Sequence, residues 1–119
     1  MKLKIMLATV LVLGLLAVAP AQAQSMDDCP HEPTIAALHA CVEHAVEHGH
    51  IDNTGIARSL HAKLDAASAA ELRGQPAVAS NILQAFVQEL HAQAGQHVEA
   101  EPAGHLQMHA EMVIAALGG

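Results

Sequence analysis

The sequence predicts an all-α fold: a compact bundle of about four antiparallel helices following an N-terminal leader that is cleaved. Three observations point there. Alanine, the residue with the strongest intrinsic helix preference, dominates beyond residue 23, and runs of β-branched residues are missing from that part. Large apolar residues recur at spacings of three and four, which puts them on one face of a helix. Glycine, proline and asparagine fall between those stretches, where short turns are needed. At 119 residues the chain is one domain at most.

The first helix is expected from Thr34 to Glu47, after Pro33 and before Gly49, with Ile35, Leu38, Val42, Ala45 and Val46 on one face. Asp52-Asn53-Thr54-Gly55 is turn chemistry. Helix two runs from Ile56 to Leu72, capped by Asn53 or Thr54. Ile56, Leu60, Lys63, Leu64 and Ala67 lie along one side, and Arg73-Gly74 ends it. Helix three spans Pro76 to Ala94, with proline in a first turn whose N–H is unpaired anyway. Val78, Ile82, Leu83, Phe86, Val87 and Leu90 give it the broadest apolar face, centred on Phe86. Gly95 closes it. Helix four covers Ala100 to Leu117, with a stripe of Leu106, Ala110, Val113, Ile114 and Leu117. Short connections favour antiparallel neighbours.

Residues 1–23 have the order of a secretory signal peptide: Lys2 and Lys4, an apolar run from Ile5 to Val18, Pro20, then Ala21-Gln22-Ala23 as a small-x-small cleavage site. The run is shorter than the roughly 20 residues a spanning helix needs. The expected organisation is therefore a signal peptide at 1–23, a flexible arm at 24–33 and a helical domain at 34–119. The protein is expected to be periplasmic or secreted, with no membrane contact after cleavage. Beyond the leader, Arg58, Lys63 and Arg73 are the only Lys or Arg residues, set against all 12 Asp and Glu. That balance excludes nucleic acid, which needs clustered cations. One aromatic residue, Phe86, leaves no stacking platform for carbohydrate or single-stranded nucleic acid. In an oxidising compartment Cys29 and Cys41 are expected to pair, tying the arm to the first helix; free thiols or metal ligation are the alternatives.

The run Gly55-Ile56-Ala57-Arg58-Ser59-Leu60-His61-Ala62-Lys63-Leu64-Asp65-Ala66-Ala67 resembles a "GIxNSLxAKLxAA" pattern. Gly74, Asn81-Ile82-Leu83-Gln84-Ala85-Phe86-Val87, Ala92-Gln93-Ala94-Gly95 and Val98 follow in order. The set resembles the FIMAH-type helical domain over about Val42 to Leu117. The resemblance implies an all-helical, extracytoplasmic accessory module with no catalytic residues. It makes Gly55 a helix opener, Leu60, Leu64 and Phe86 core, Gly95 a C-cap, and Ser59 and Asn81 donors to loop backbone. The chain departs from the pattern at Arg58, where Asn is usual, and at Glu99, which replaces a capping Ser or Thr. It is also loaded with histidine, and the module is expected to stand alone.

All ten histidines lie beyond the leader. On a helix that turns about 100° per residue, Cys41, His44 and His48 fall within an arc of about 60°. His105, Met108, His109 and Met112 fall within about 80°, centred about 110° from the Leu106–Leu117 stripe. Both sets are expected at the surface or the core margin. Imidazole with thioether suits copper, Cu(I) above all, and imidazole with thiolate suits zinc. These seven residues are the candidate metal ligands, for Cu, Ni or Zn, with His31 and His50 as further donors. Weak binding to surface histidines is the competing explanation, and a disulfide at Cys41 removes the first set's thiolate. Ten imidazoles also permit buffering of the acidic surface as the medium acidifies.

Ser59 and Ser80 lack a nucleophile-elbow setting, and a thin bundle leaves little room for a cleft, so no enzyme activity is expected. The leading expectation is an exported, non-catalytic accessory or interaction module with a protein partner in the cell envelope or outside the cell. The alternative is a His-rich metal-binding or pH-buffering protein.

Overall fold

The computed structural model describes residues 25–118. The leader expected at 1–23 lies outside the described residues. Four α-helices follow a short 3-10 turn (Met26–Asp28): α1 (Ile35–Glu47), α2 (Thr54–Leu72), α3 (Pro76–Gln93) and α4 (Ala100–Ala116). Each helix packs on its neighbours in chain order, and α4 returns to α1, so the bundle closes on itself. Among the described residues there is no strand, and no helix is long and apolar enough to cross a membrane.

Local chemistry sets the helix ends. The Thr34 hydroxyl accepts a hydrogen bond from the Ala37 amide at 3.1 Å and opens α1. The Asn53 side chain accepts from the Ile56 amide at 3.0 Å and opens α2 two residues earlier than the apolar periodicity implied. Each such cap contributes about 1 kcal/mol. Pro76 starts α3 with no side-chain cap. Gly49, Gly74 and Gly95 take φ of +77°, +71° and +77° where α1, α2 and α3 stop, a left-handed turn that costs other residues steric strain.

The interior is lined by alternate turns of all four helices. Leu38 and Val42 of α1, Leu60 and Leu64 of α2, Leu83, Phe86 and Leu90 of α3, and Leu106 and Val113 of α4 are all fully buried. Ala45, Ala67, Ala70, Ala79 and Ala110 are buried between them. Small side chains at those positions let the helix backbones approach while the leucines fill the gaps. Val78, expected on the core face, is 42% exposed, and Leu72 is 85% exposed. Both flank the α2–α3 turn, where α2 ends and little surface remains to cover them.

At the other end, the α1–α2 and α3–α4 connections lie side by side. Ile51 and Val98 form an antiparallel bridge. The Asp52 amide donates to the His97 carbonyl at 3.0 Å, and the Glu99 amide to the His50 carbonyl at 2.9 Å. Side chains repeat the pairing: His50 Nδ1 meets Glu99 Oε2, and His97 Nδ1 meets Asp52 Oδ1, each at 2.9 Å. Glu99 thus makes no side-chain cap for α4 and binds His50 across the loops instead.

A polar link crosses α2 and α3. Ser59 Oγ donates to Glu89 at 2.8 Å, and Lys63 Nζ reaches Ser59 Oγ at 3.0 Å and Glu89 Oε1 at 3.3 Å. Ser59 therefore bonds the facing helix, not loop backbone as the family resemblance implied. Its hydroxyl sits mid-helix, beyond reach of any turn.

Candidate metal centre

The arm before α1 folds back on the bundle and is fixed at two points. Cys29 and Cys41 form a disulfide with Cα atoms 5.1 Å apart, which joins the arm to α1. His109 Nε2 donates to the Glu32 carbonyl at 2.7 Å, which joins it to α4. Met26 and Cys29 are buried as a result. His31, between the two anchors, is carried over α4. Its ring meets His105 edge-on at 5.0 Å between centroids and lies 6.3 Å from His109.

His31 and His105 therefore bring ligand atoms within 4.8 Å of one another, and His109 lies alongside without joining that group. His105, Met108, His109 and Met112 follow the i, i+3, i+4, i+7 rule along one stripe of α4. Together with His31 they line a small cavity of about 60 Å³. Met108 and Met112 form its exposed rim, at 64% and 44% exposure.

In a neutral ring, a carbonyl partner fixes which nitrogen carries the proton. His109 donates from Nε2, so its lone pair is on Nδ1. That atom is buried and without a partner among the described residues. A buried, unpaired polar atom is costly unless something binds it. His31 donates from Nδ1 to the Cys29 carbonyl, which leaves its lone pair on Nε2. Burial, followed by the neighbouring His31, holds His105 below the ordinary imidazole pKa; His109 adds to this, while Asp27 and Glu101 oppose it. Neutral rings are the form that coordinates metal. Uncharged nitrogen and thioether sulfur make a soft donor set, suited to Cu(I) and poorly suited to Mg or Ca.

Of the expected ligands, His105, Met108, His109 and Met112 come together, and His109 is more deeply placed than the helix arithmetic implied, at 4% exposure. The arm covers that flank of α4. Cys41 does not serve: its sulfur is in the disulfide and fully buried. His44 and His48 remain as a tilted pair, 4.3 Å between ring centroids and 52° between planes, with His44 Nε2 buried and unpartnered among the described residues.

Sequence spacing gave no sign of a second imidazole pair. His39 of α1 and His61 of α2 stack at 5.1 Å with Nδ1 atoms 3.1 Å apart, and His39 Nε2 donates to Asp65 Oδ1 at 2.9 Å. Burial, followed by His39, pushes the His61 pKa down, against the pull of Glu43 and Asp65.

The fold and the site together define a small four-helix module with a histidine–methionine cleft formed by α4 and a disulfide-anchored arm. The chain belongs to the FIMAH domain family, whose model matches residues 35–115. The match covers α1 to α3 and α4 as far as Ala115, and it starts after the arm, so Cys29 and His31 lie outside it. No curated protein and no solved structure gives a significant match.

Proposed function

We propose that this chain is an exported, non-catalytic helical module whose arm-and-α4 cleft binds a soft transition-metal ion, Cu(I) first. The observation that carries this is the meeting of His31 and His105, 5.0 Å between ring centroids, in a cavity that Met108, His109 and Met112 also line. Imidazoles beside two thioethers in one cavity match the donor preference of a soft ion. Membership of a family of helical modules from secreted proteins, together with the leader-like order of residues 1–23, supports export. The metal reading thus moves ahead of the interaction role that led on sequence alone.

Cu(I) titration against a chromogenic competing chelator, on the disulfide-bonded protein lacking residues 1–23 and any tag, tests the proposal. One tight equivalent is expected. Met108→Leu with Met112→Leu, which keeps volume and helix preference, is expected to weaken it, and His105→Ala to weaken it further. Weak binding that these substitutions leave unchanged would refute the site.

A further inference from the structure

The disulfide lies against the cleft. One ligand atom from each of Cys29, His31 and His105 falls within 4.8 Å of the other two. In the oxidised chain the Cys29 sulfur is bonded to Cys41 and offers no thiolate. We infer that the Cys29–Cys41 disulfide is a redox gate on the metal site: its reduction hands Cys29 to the cleft and converts an imidazole–thioether set into a thiolate–imidazole one. The inference rests on the same two imidazoles as the proposed function but concerns a different oxidation state and a different donor.

The chemistry balances with a dithiol reductant. A reductant thiolate attacks one sulfur of the pair, the second reductant thiol closes its own disulfide, and both protein cysteines leave as thiols. Cys29 then gives up its proton as sulfur binds the metal. The two cysteines are not equivalent after cleavage. Both are buried, with sulfurs 3.0 Å from the Met26 carbonyl and 3.1 Å from the Pro30 carbonyl respectively, but Cys29 rides on the arm beside His31 and His105, whereas Cys41 sits on α1 outside that group. The arm keeps a second anchor, the His109 hydrogen bond to Glu32, so the three donors stay together when the bond opens. A thiolate with two imidazoles matches three positions of a tetrahedral zinc site, the fourth being left to water or Met108.

Co(II), used alone as a spectroscopic stand-in for Zn(II), reads the donor directly through the thiolate-to-metal charge-transfer band. The band is expected in Cys41→Ser, where Cys29 is the free thiol, and in reduced wild type. It is expected to be absent from oxidised wild type and from Cys29→Ser. Co(II) is expected to bind Cys41→Ser roughly tenfold or more tightly than the oxidised protein, and His31→Ala in that background to remove the gain. Far-ultraviolet circular dichroism on each form checks the helices. A folded Cys41→Ser without the band overturns the inference. So does an equal band in Cys29→Ser, which would hand the metal to Cys41 with His44 and His48. Loss of helix in both Cys41→Ser and the reduced wild type overturns it as well, because no reduced site then exists. Failure of Cu(I) binding by the oxidised protein leaves this outcome free to go either way, so the two readings fail separately.

Discussion

Removing the disulfide through Cys29→Ala with Cys41→Ala is the most informative perturbation of stability, because its size follows from the chain. The bond spans 12 positions. In the chain-entropy account, freeing a loop of that length returns about 2.8 kcal/mol of disorder to the unfolded state at 25 °C. A domain of this size changes its Tm by about 4–8 °C per kcal/mol, so a fall of roughly 10–20 °C is expected. Total stability of such domains is about 5–15 kcal/mol, so the variant still folds at room temperature. Its helix content is expected to stay the same, since α1–α4 meet through Leu38, Leu64, Phe86 and Leu106, none of which touches the solvent. Urea and thermal unfolding followed by far-ultraviolet circular dichroism give the difference. A loss below about 1 kcal/mol would refute the reasoning, because the arm would then be held equally well without its covalent anchor.

Phe86→Ala empties the centre of the core at a site with zero exposure and is expected to cost about 3–5 kcal/mol in urea unfolding; a cost under about 1 kcal/mol would mean the helices collapse into the space. Gly104→Ala, mid-α4 with nothing within 4 Å of the added carbon, is expected to stabilise by about 0.5–1 kcal/mol in the same assay. The folded protein holds the His61 pKa below its ordinary 6.5. The unfolded chain therefore takes up that proton first, and the contribution is whole above 6.5 and is lost as pH falls. His39 and Glu43 from α1 and Asp65 from α2 face the ring. Between about pH 7.5 and 5, wild type is expected to lose more stability than His61→Gln; equal losses would contradict the assignment.

Much of the fold was legible because it is local. The ends of α1, α3 and α4 fall within one residue of the expected ones, since Thr34, Pro76, Gly49 and Gly95 act on their own turns. The i, i+3, i+4 stripe of His105, Met108 and His109 was legible for the same reason. The rest depends on which surfaces meet. His31 lies outside any helix, and only the Cys29–Cys41 bond and the Glu32 carbonyl bring it to α4. His109 looked peripheral on α4 alone, because nothing in the helix's own periodicity shows that an arm will cover it. His39 and His61 are 22 residues apart and meet only through the register of α1 against α2. The pairing of cysteines turned one expected ligand set into an anchor, which spacing alone left open.

The paired loops at one end have a consequence for how the chain tolerates change. Because Ile51 bridges Val98 and two imidazole–carboxylate pairs repeat the link, the connections at 48–53 and 94–99 behave as one joint. An extra residue in either loop shifts the other, and both helix pairs feel it. Among the described residues no such bridge or ion pair reaches the turn at Gly74, so a tag, a fluorophore or an inserted peptide belongs there, where the bundle absorbs it without reorienting the arm or α4.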